Sequence, residues 1–433
     1  MDHKSHTKYL IIGGSHAGLT ALDEIRVYDH EGAVTLVTKE YPPYSPTVLP
    51  YIISGKINDR SIFLRDDQYF LEKKVTLVKN RSVVAVDTKA TEITLDDGQK
   101  IQYEKLLIAS GAEPTLPPIP GLSPSSAFTL RTLADVQRIL QEVSRVQSAL
   151  VLGAGLIGMH IAECLAQKGI KVEVAEMLPQ ILPGYFDREC SELIRREFAS
   201  HEINCYTNNS ATKVETSNGK VVMNLQKGQR LEGGILIATT GIRACFDFLV
   251  NSEIRTNRGI LVDDTMRTSV ENVWAAGDVA QTKDFFSDKK ILSATLPDAV
   301  VQGKIAGKAM VGVESISPYP GSIPVNTFNF FGNRALAIGL ANPEEKEGYE
   351  IDTMYLPTAK IYQKMVFKDN CLVGGSAINS LLDPGIFLNL IRRKVDMAAV
   401  KAEFAGNPVQ MSRRLMWKAW RKEEQERKRD DIG

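Results

Sequence analysis

The chain has 433 residues, room for two or three domains at about 150 residues each. Hydrophobic residues make up 43% and charged residues 24%, the balance of a globular protein. Its 52 basic and 52 acidic side chains cancel, so no global field draws in nucleic acid or an anionic membrane.

The start, MDHKSHTKYLIIGG, has too short an apolar run for a secretion signal. No run of about 18 apolar residues occurs anywhere, so no membrane-spanning helix is expected. The cysteines are Cys164, Cys190, Cys205, Cys245 and Cys371, odd in number and without a C-x-x-C spacing. That pattern argues against a disulfide framework, a structural zinc or an iron–sulfur cluster on this chain. No metal site is expected, and a reducing cytoplasm is the expected location.

In chain order, an apolar strand Tyr9–Ile12 runs into Gly13-Gly14-Ser15-His16-Ala17-Gly18, a helical stretch Leu19–Asp29 and a strand Ala33–Val37. Short strands follow at Lys74–Val78, Ser82–Val86 and Glu92–Leu95, with a hairpin signal at Asp96-Asp-Gly98. A buried run Leu106–Ala109 ends at Ser110-Gly111, and the proline-rich stretch Pro114–Pro120 reads as a crossover. The opening pattern then repeats: strand Ala149–Leu152, Gly153-Ala-Gly155-Leu156-Ile157-Gly158, a helix to Lys168 and a strand Lys171–Ala175. Both copies have the order of a βαβ dinucleotide-binding unit.

Beyond the second copy come Val221–Leu225, Gly234–Ala238 ending at Thr240-Gly241, Gly259–Asp263, and Val273–Ala276 running into Gly277-Asp278. Ser317–Pro324 reads as a boundary, with strands at Ala335–Gly339 and Ile361–Phe367 and a helix-rich end from Asp383. Arg421–Asp431 is almost all charged and reads as a solvated or frayed helix end.

The second glycine loop is complete. Gly153 allows the tight turn, Gly155 lets the backbone approach a pyrophosphate, and Gly158 lets helix and strand pack closely, with the helix N-terminus facing the phosphates. Glu176 closes the next strand, where a carboxylate accepts bonds from ribose hydroxyls and repels a 2′-phosphate, favouring NAD(H) over NADP(H). The first loop is weaker. Ser15 replaces the middle glycine, and Thr38 stands where an acid is usual, with Glu40 two residues later.

Four further segments accompany the loops in fixed order: Leu106–Pro114, Leu130-Arg131-Thr-Leu133, Ile235–Arg243 and Glu271–Asp278. Together they resemble the pyridine-nucleotide–disulfide oxidoreductase superfamily, in its branch of NADH oxidases, coenzyme A disulfide reductases and rubredoxin reductases, over about residues 8 to 400. The resemblance implies an α/β fold: two interleaved Rossmann-like FAD- and NAD-binding domains plus a C-terminal α+β interface domain. The FAD domain would comprise 1–115 and 245–318, the NAD domain 116–244, the interface domain 319–405, and a charged helix or tail 406–433. FAD would lie on Gly13, Gly14, Ser15, His16, Ala17 and Gly18, with Thr38, Lys39, Pro46, Thr47, Ser110, Gly111, Arg131 and Gln302 around it. Gly277-Asp278 would close over it, the carboxylate bonding its ribityl or pyrophosphate portion. NAD(H) would lie on Gly153, Gly155, Leu156, Ile157, Gly158, Glu176 and Gly241.

Two departures from the family matter. In disulfide-reducing relatives a cysteine after the first βαβ unit faces the flavin; here Thr47 falls at that position, within one residue. A hydroxyl cannot replace a thiolate in redox chemistry, so disulfide reduction and cysteine-sulfenate peroxide chemistry are not expected. His160 stands where relatives often carry a glutamate near the flavin's reactive edge; it either donates a hydrogen bond or shuttles a proton there, or packs within its helix. His16 reads as a packing or phosphate neighbour, Arg243 as a nucleotide contact or a surface arginine, and Asp298 as a helix cap.

Pro43–Tyr51, Ile62–Asp66, Gly158-Met-His160 and Leu296–Ala299 are similar to the FAD-bearing, NADH-linked subunits of acyl-CoA-forming 2-oxo acid dehydrogenases of the phenylglyoxylate dehydrogenase type. That resemblance implies, as partners, subunits of a thiamine diphosphate-dependent 2-oxo acid oxidoreductase complex or another iron–sulfur, ferredoxin-like protein, with electrons passing through FAD to NAD⁺. A homodimer is the family's alternative use of the C-terminal domain. A stand-alone NADH:ferredoxin or rubredoxin reductase, an NADH oxidase and a structural subunit without turnover are the competing expectations.

Overall fold

The computed structural model describes residues 5–217, 219–343 and 348–430. The first four residues of the chain and the last three of the charged tail lie outside the described residues. Both βαβ repeats are present: β1 (Ser5–Ile12), α1 (His16–Tyr28) and β2 (Val34–Thr38), then β3 (Ser148–Leu152), α2 (Leu156–Ala166) and β4 (Lys171–Ala175). The chain divides into two compact units, one of residues 1–115, 131–137 and 241–322, the other of residues 116–130, 138–240 and 323–433.

In the first unit, β1 is the centre of a seven-stranded sheet, paired parallel to β2 on one side and to Lys100–Ile108 on the other. Val75–Lys79 extends the sheet beyond β2, and Val273–Ala275, far along the chain, pairs parallel to Lys100–Ile108. Central strands of parallel sheets are covered on both faces, which is why Leu10, Ile11, Leu36, Leu106 and Leu107 form continuous apolar runs rather than alternating ones. The register aligns Ile12 with Val37 and Ile108, and Ile108 with Ala275. Four strands therefore end at one edge, the edge at which open α/β sheets bind ligands.

One face of this sheet is covered by α1, which packs against α3 (Leu296–Val311). The approach is close because α3 presents glycines: a Cβ on Gly303 would lie 2.4 Å from the Ala17 carbonyl oxygen, and one on Gly307 2.7 Å from that of Ala21. Thr295 caps α3, accepting from the Asp298 N–H. Asp298, expected as the cap, is buried instead as the acceptor for four hydroxyls, those of Ser293, Thr295, Tyr319 and Ser322, at 2.5–2.9 Å.

In the second unit, β3 lies between β4 and Ile235–Ala238, with Asn204–Tyr206 at the edge, all parallel. A three-stranded antiparallel sheet of Ala211–Ser217, Lys220–Leu225 and Arg230–Gly233 stands beside it. Val325–Phe330, Asn333–Gly339, Glu350–Leu356, Ile361–Lys368 and Cys371–Ile378 form a five-stranded antiparallel sheet that belongs to this same unit. Buried polar contacts fasten it: Asp187, which caps the helix Arg188–Ser200, accepts from the Tyr362 hydroxyl at 3.0 Å and from that of Ser376, and Glu163 on α2 accepts from the Phe331 N–H at 3.0 Å. The chain ends in α4 (Pro408–Asp430). No helix among the described residues is long and apolar enough to cross a membrane.

Candidate functional site

The edge shared by β1, β2, Lys100–Ile108 and Val273–Ala275 carries the first glycine loop, Thr38, Ser110 and Gly277 together. Gly13 turns the chain out of β1 at φ +109°, and a Cβ there would lie 2.1 Å from the Ala109 carbonyl oxygen. Only glycine satisfies both demands. A Cβ on Gly18 would meet the Gly13 carbonyl oxygen at 2.0 Å, so α1 begins directly against the turn. Ser15 is the N-cap residue but its hydroxyl caps nothing. The helices at Arg188, Leu296 and Pro384 are capped by Asp187, Thr295 and Asp383. α1 instead leaves its first N–H groups open to an anion.

Around that loop, Thr38 is buried and spends its hydroxyl proton on the Glu40 carbonyl at 2.9 Å, while Lys39 is exposed. The Ser110 hydroxyl donates to the Cys245 carbonyl at 2.6 Å, and the Gly111 carbonyl accepts the Cys245 N–H at 2.9 Å. Arg131 Nη2 reaches the Asp278 carboxylate at 3.2 Å. The Gly277 N–H donates to Gln302 Oε1 at 2.8 Å. A glycine cradle, an uncapped helix N-terminus, a cation and a hydroxyl-accepting carboxylate fit the pyrophosphate and polyol of FAD.

The segment after β2 supplies a polar chain not foreseen from the sequence. His16 Nε2 lies 2.9 Å from Ser45 Oγ, and Ser45 Oγ lies 2.8 Å from Thr47 Oγ1. Pro46 opens the short 3-10 turn Pro46–Val48 that presents Thr47 to solvent, whereas Ser45 is buried. Burial pushes the His16 imidazole below its ordinary pKa; the Asp278 carboxylate opposes this and the Arg65 guanidinium adds to it. The bridging role of Ser45 has no local sequence signal, because it exists only once residues 43–48 fold back onto α1. The one cysteine of this unit, Cys245, is half-buried, and burial pushes its thiol up to about 11.

The second loop repeats the device. Gly153 has φ +100°, and a Cβ on Gly158 would meet its carbonyl oxygen at 2.1 Å. Nothing lies within 4 Å of the Cβ position of Gly155, leaving the backbone open to a close-approaching group. α2 has no side-chain cap; it starts at Leu156 and exposes Ile157. Glu176, only 6% exposed, accepts from the Ala154 N–H at 2.7 Å and the Leu178 N–H at 2.8 Å. Each oxygen keeps acceptor capacity for a ribose hydroxyl. Gly241 belongs to the first unit, at φ +115°, its carbonyl accepting the Thr115 N–H at 3.0 Å. The His160 ring lies 4.7 Å from that of Phe328 on the C-terminal sheet. Arg243 is exposed and paired with Asp247 and Glu113.

A doubly wound α/β protein with a glycine cradle in each of its two units, one followed by a buried strand-end glutamate, has the architecture of the dinucleotide-dependent oxidoreductases. The family model described as pyridine nucleotide-disulphide oxidoreductase matches residues 7–303, and the chain belongs to that family. It is an FAD-dependent, NADH-linked oxidoreductase. It is 40% identical over 418 residues to the epsilon subunit of NADH-dependent phenylglyoxylate dehydrogenase of Aromatoleum evansii, covering 96% of this chain and 99% of that one. It is 33% identical over 316 residues to an NADH oxidase of Methanocaldococcus jannaschii, covering 71% and 70%. Among solved structures, the water-forming NADH oxidase of Lactobacillus brevis superposes with a TM-score of 0.82 at 21% identity, covering 90% of this chain and 91% of that one. At that identity the likeness speaks for the fold.

Proposed function

We propose that this chain is the electron-transfer subunit of a 2-oxo acid dehydrogenase complex of the phenylglyoxylate dehydrogenase type, passing electrons from iron–sulfur carriers on partner subunits through FAD to NAD⁺. The observation that carries the proposal is the end-to-end match to an epsilon subunit of such an enzyme. Thr47 agrees with it: with a hydroxyl at that position and the single thiol of the first unit, Cys245, raised to about 11 by burial, the flavin has no cysteine pair to exchange with, and its second redox partner lies on another protein.

FAD, when bound, supplies the centre that exchanges a hydride with NAD(H) and single electrons with iron–sulfur groups. The chain's residues bind and orient it. The open N–H groups of α1 hold the pyrophosphate, and Asp278, paired with Arg131, accepts from the polyol. Gln302 fixes the Gly277 backbone. His16, Ser45 and Thr47 form a line of exchangeable protons from a half-buried imidazole to a solvent-facing hydroxyl. Glu176 orients the NAD ribose, and His160 serves to position α2 against Phe328.

The test is purification of the native protein under anaerobic conditions. The expected result is co-elution with iron–sulfur and thiamine diphosphate-binding subunits, and coenzyme A-dependent reduction of NAD⁺ by a 2-oxo acid. A chain that elutes alone and reduces no iron–sulfur protein with NADH contradicts the proposal. It leaves the stand-alone NADH oxidase reading, favoured by the 33% identical relative.

A further inference from the structure

The chain has three tryptophans, and two of them, Trp417 and Trp420, are 53% and 57% exposed on α4. They are not core residues lacking a core. The inward side of α4 is already occupied by buried Met411, Ser412 and Leu415, and the helix packs against the helices Pro384–Arg392 and Lys401–Gly406. At 3.6 residues per turn, Trp417 and Trp420 share the outward side with Arg413, Arg414, Lys418 and Arg421, all exposed. Glu423, Glu424 and Glu426 follow these four cations in sequence. The Arg421 guanidinium lies over the Trp417 ring, 4.3 Å from its centre.

On a chain whose charges cancel, residues 404–422 contain no acidic residue. Up to Glu423 this stretch is therefore cationic, and it carries two large exposed rings, one of them covered by Arg421. Trp and Arg are the residues that anchor protein interfaces, because each buries much area on contact and satisfies a polar neighbour at its rim. A lipid-binding helix needs a continuous apolar face turned outward. Here the apolar face is turned inward and the outward rings are separated by charges.

We propose that the outward face of α4 docks an acidic protein surface, that of the iron–sulfur partner, with Trp417 and Trp420 as apolar anchors and Arg413, Arg414, Lys418 and Arg421 as the steering charges. The proposal rests on the complex-subunit reading and adds the surface through which the partner binds. Charge steering of this kind sets the association rate and weakens with salt.

The test uses the full-length FAD-loaded protein, with W417S/W420S and R413Q/R414Q/K418Q/R421Q variants beside the wild type. NADH-driven reduction of a small-molecule dye reports the flavin alone. NADH-driven reduction of a purified acidic two-iron ferredoxin reports docking. Expected are equal dye rates in all three proteins and a fall of about tenfold or more in the second-order rate with ferredoxin in each variant. The wild-type ferredoxin rate alone should fall steeply between about 50 and about 300 mM salt. Ferredoxin rates equal to wild type in both variants overturn the docking surface. So does a variant-dependent loss of self-association in sedimentation, which assigns the face to a second copy of this chain. Variant-dependent loss of binding to phosphatidylserine vesicles overturns it too, assigning the face to lipid. A wild type that reduces dye but not ferredoxin contradicts the complex-subunit reading itself, and the docking with it.

Discussion

The side-chain oxygen of Gln302 accepts the N–H of Gly277 at 2.8 Å, and Gln302 is wholly buried. One hydrogen bond thus ties α3 to the turn that carries Asp278. Gln302→Leu leaves the Gly277 N–H buried without its acceptor, a cost of about 1–3 kcal/mol. The variant should lose FAD on gel filtration while Gln302→Glu, which keeps an acceptor, retains more of it. Flavin-to-protein absorbance ratios after filtration measure this.

Gly155 separates a folding role from a binding role. A Cβ there meets nothing in the protein, yet the position faces the open side of the loop. Gly155→Ala should keep the wild-type melting temperature and flavin content. Its KM for NADH should rise about tenfold or more, because the added methyl blocks approach of the pyrophosphate. Gly158→Ala is the contrasting variant, since its Cβ would lie 2.1 Å from the Gly153 oxygen, and it should lose stability as well.

Glu176 holds the Ala154 and Leu178 N–H groups as well as the expected ribose position. Glu176→Ala should lower the melting temperature and raise the KM for NADH. The ratio of kcat/KM for NADH over NADPH should also fall, because the carboxylate that repels a 2′-phosphate is gone. Steady-state rates with both nucleotides check it.

Burial lowers the His16 pKa, with Asp278 opposing and Arg65 reinforcing. The unfolded chain, with a histidine near 6.5, then binds the proton more readily than the folded one. The neutral imidazole's contribution to stability is full above about pH 6.5 and is lost as the pH falls through that value toward the lower folded pKa. Denaturant midpoints of the FAD-loaded protein between about pH 8 and about pH 5 should fall less steeply for His16→Gln than for the wild type.

The glycine loops were legible in the sequence because each sits at the end of an apolar strand and each demands residues without a Cβ. Gly277-Asp278 was legible for the same reason. What the sequence did not carry was the pairing across long separations. Val273–Ala275 lies beside Lys100–Ile108, which brings Gly277 to the edge where Gly13 turns. Ser45 bridges His16 and Thr47 only through tertiary folding, and Asp298 gathers Tyr319 and Ser322 from beyond its own helix. The fastening of the C-terminal sheet by Asp187, Glu163 and the His160–Phe328 contact likewise joins residues more than 160 positions apart.

The proposed electron route makes FAD the redox centre of this chain, with Thr47 expected where disulfide-reducing relatives carry a thiol. An anaerobic titration of the FAD-loaded protein with NADH, followed at the flavin absorbance, tests it most directly. The account predicts bleaching complete at about one equivalent of NADH per flavin, with no thiol appearing. A second equivalent consumed before bleaching ends, or a protein that takes up no flavin, would contradict it.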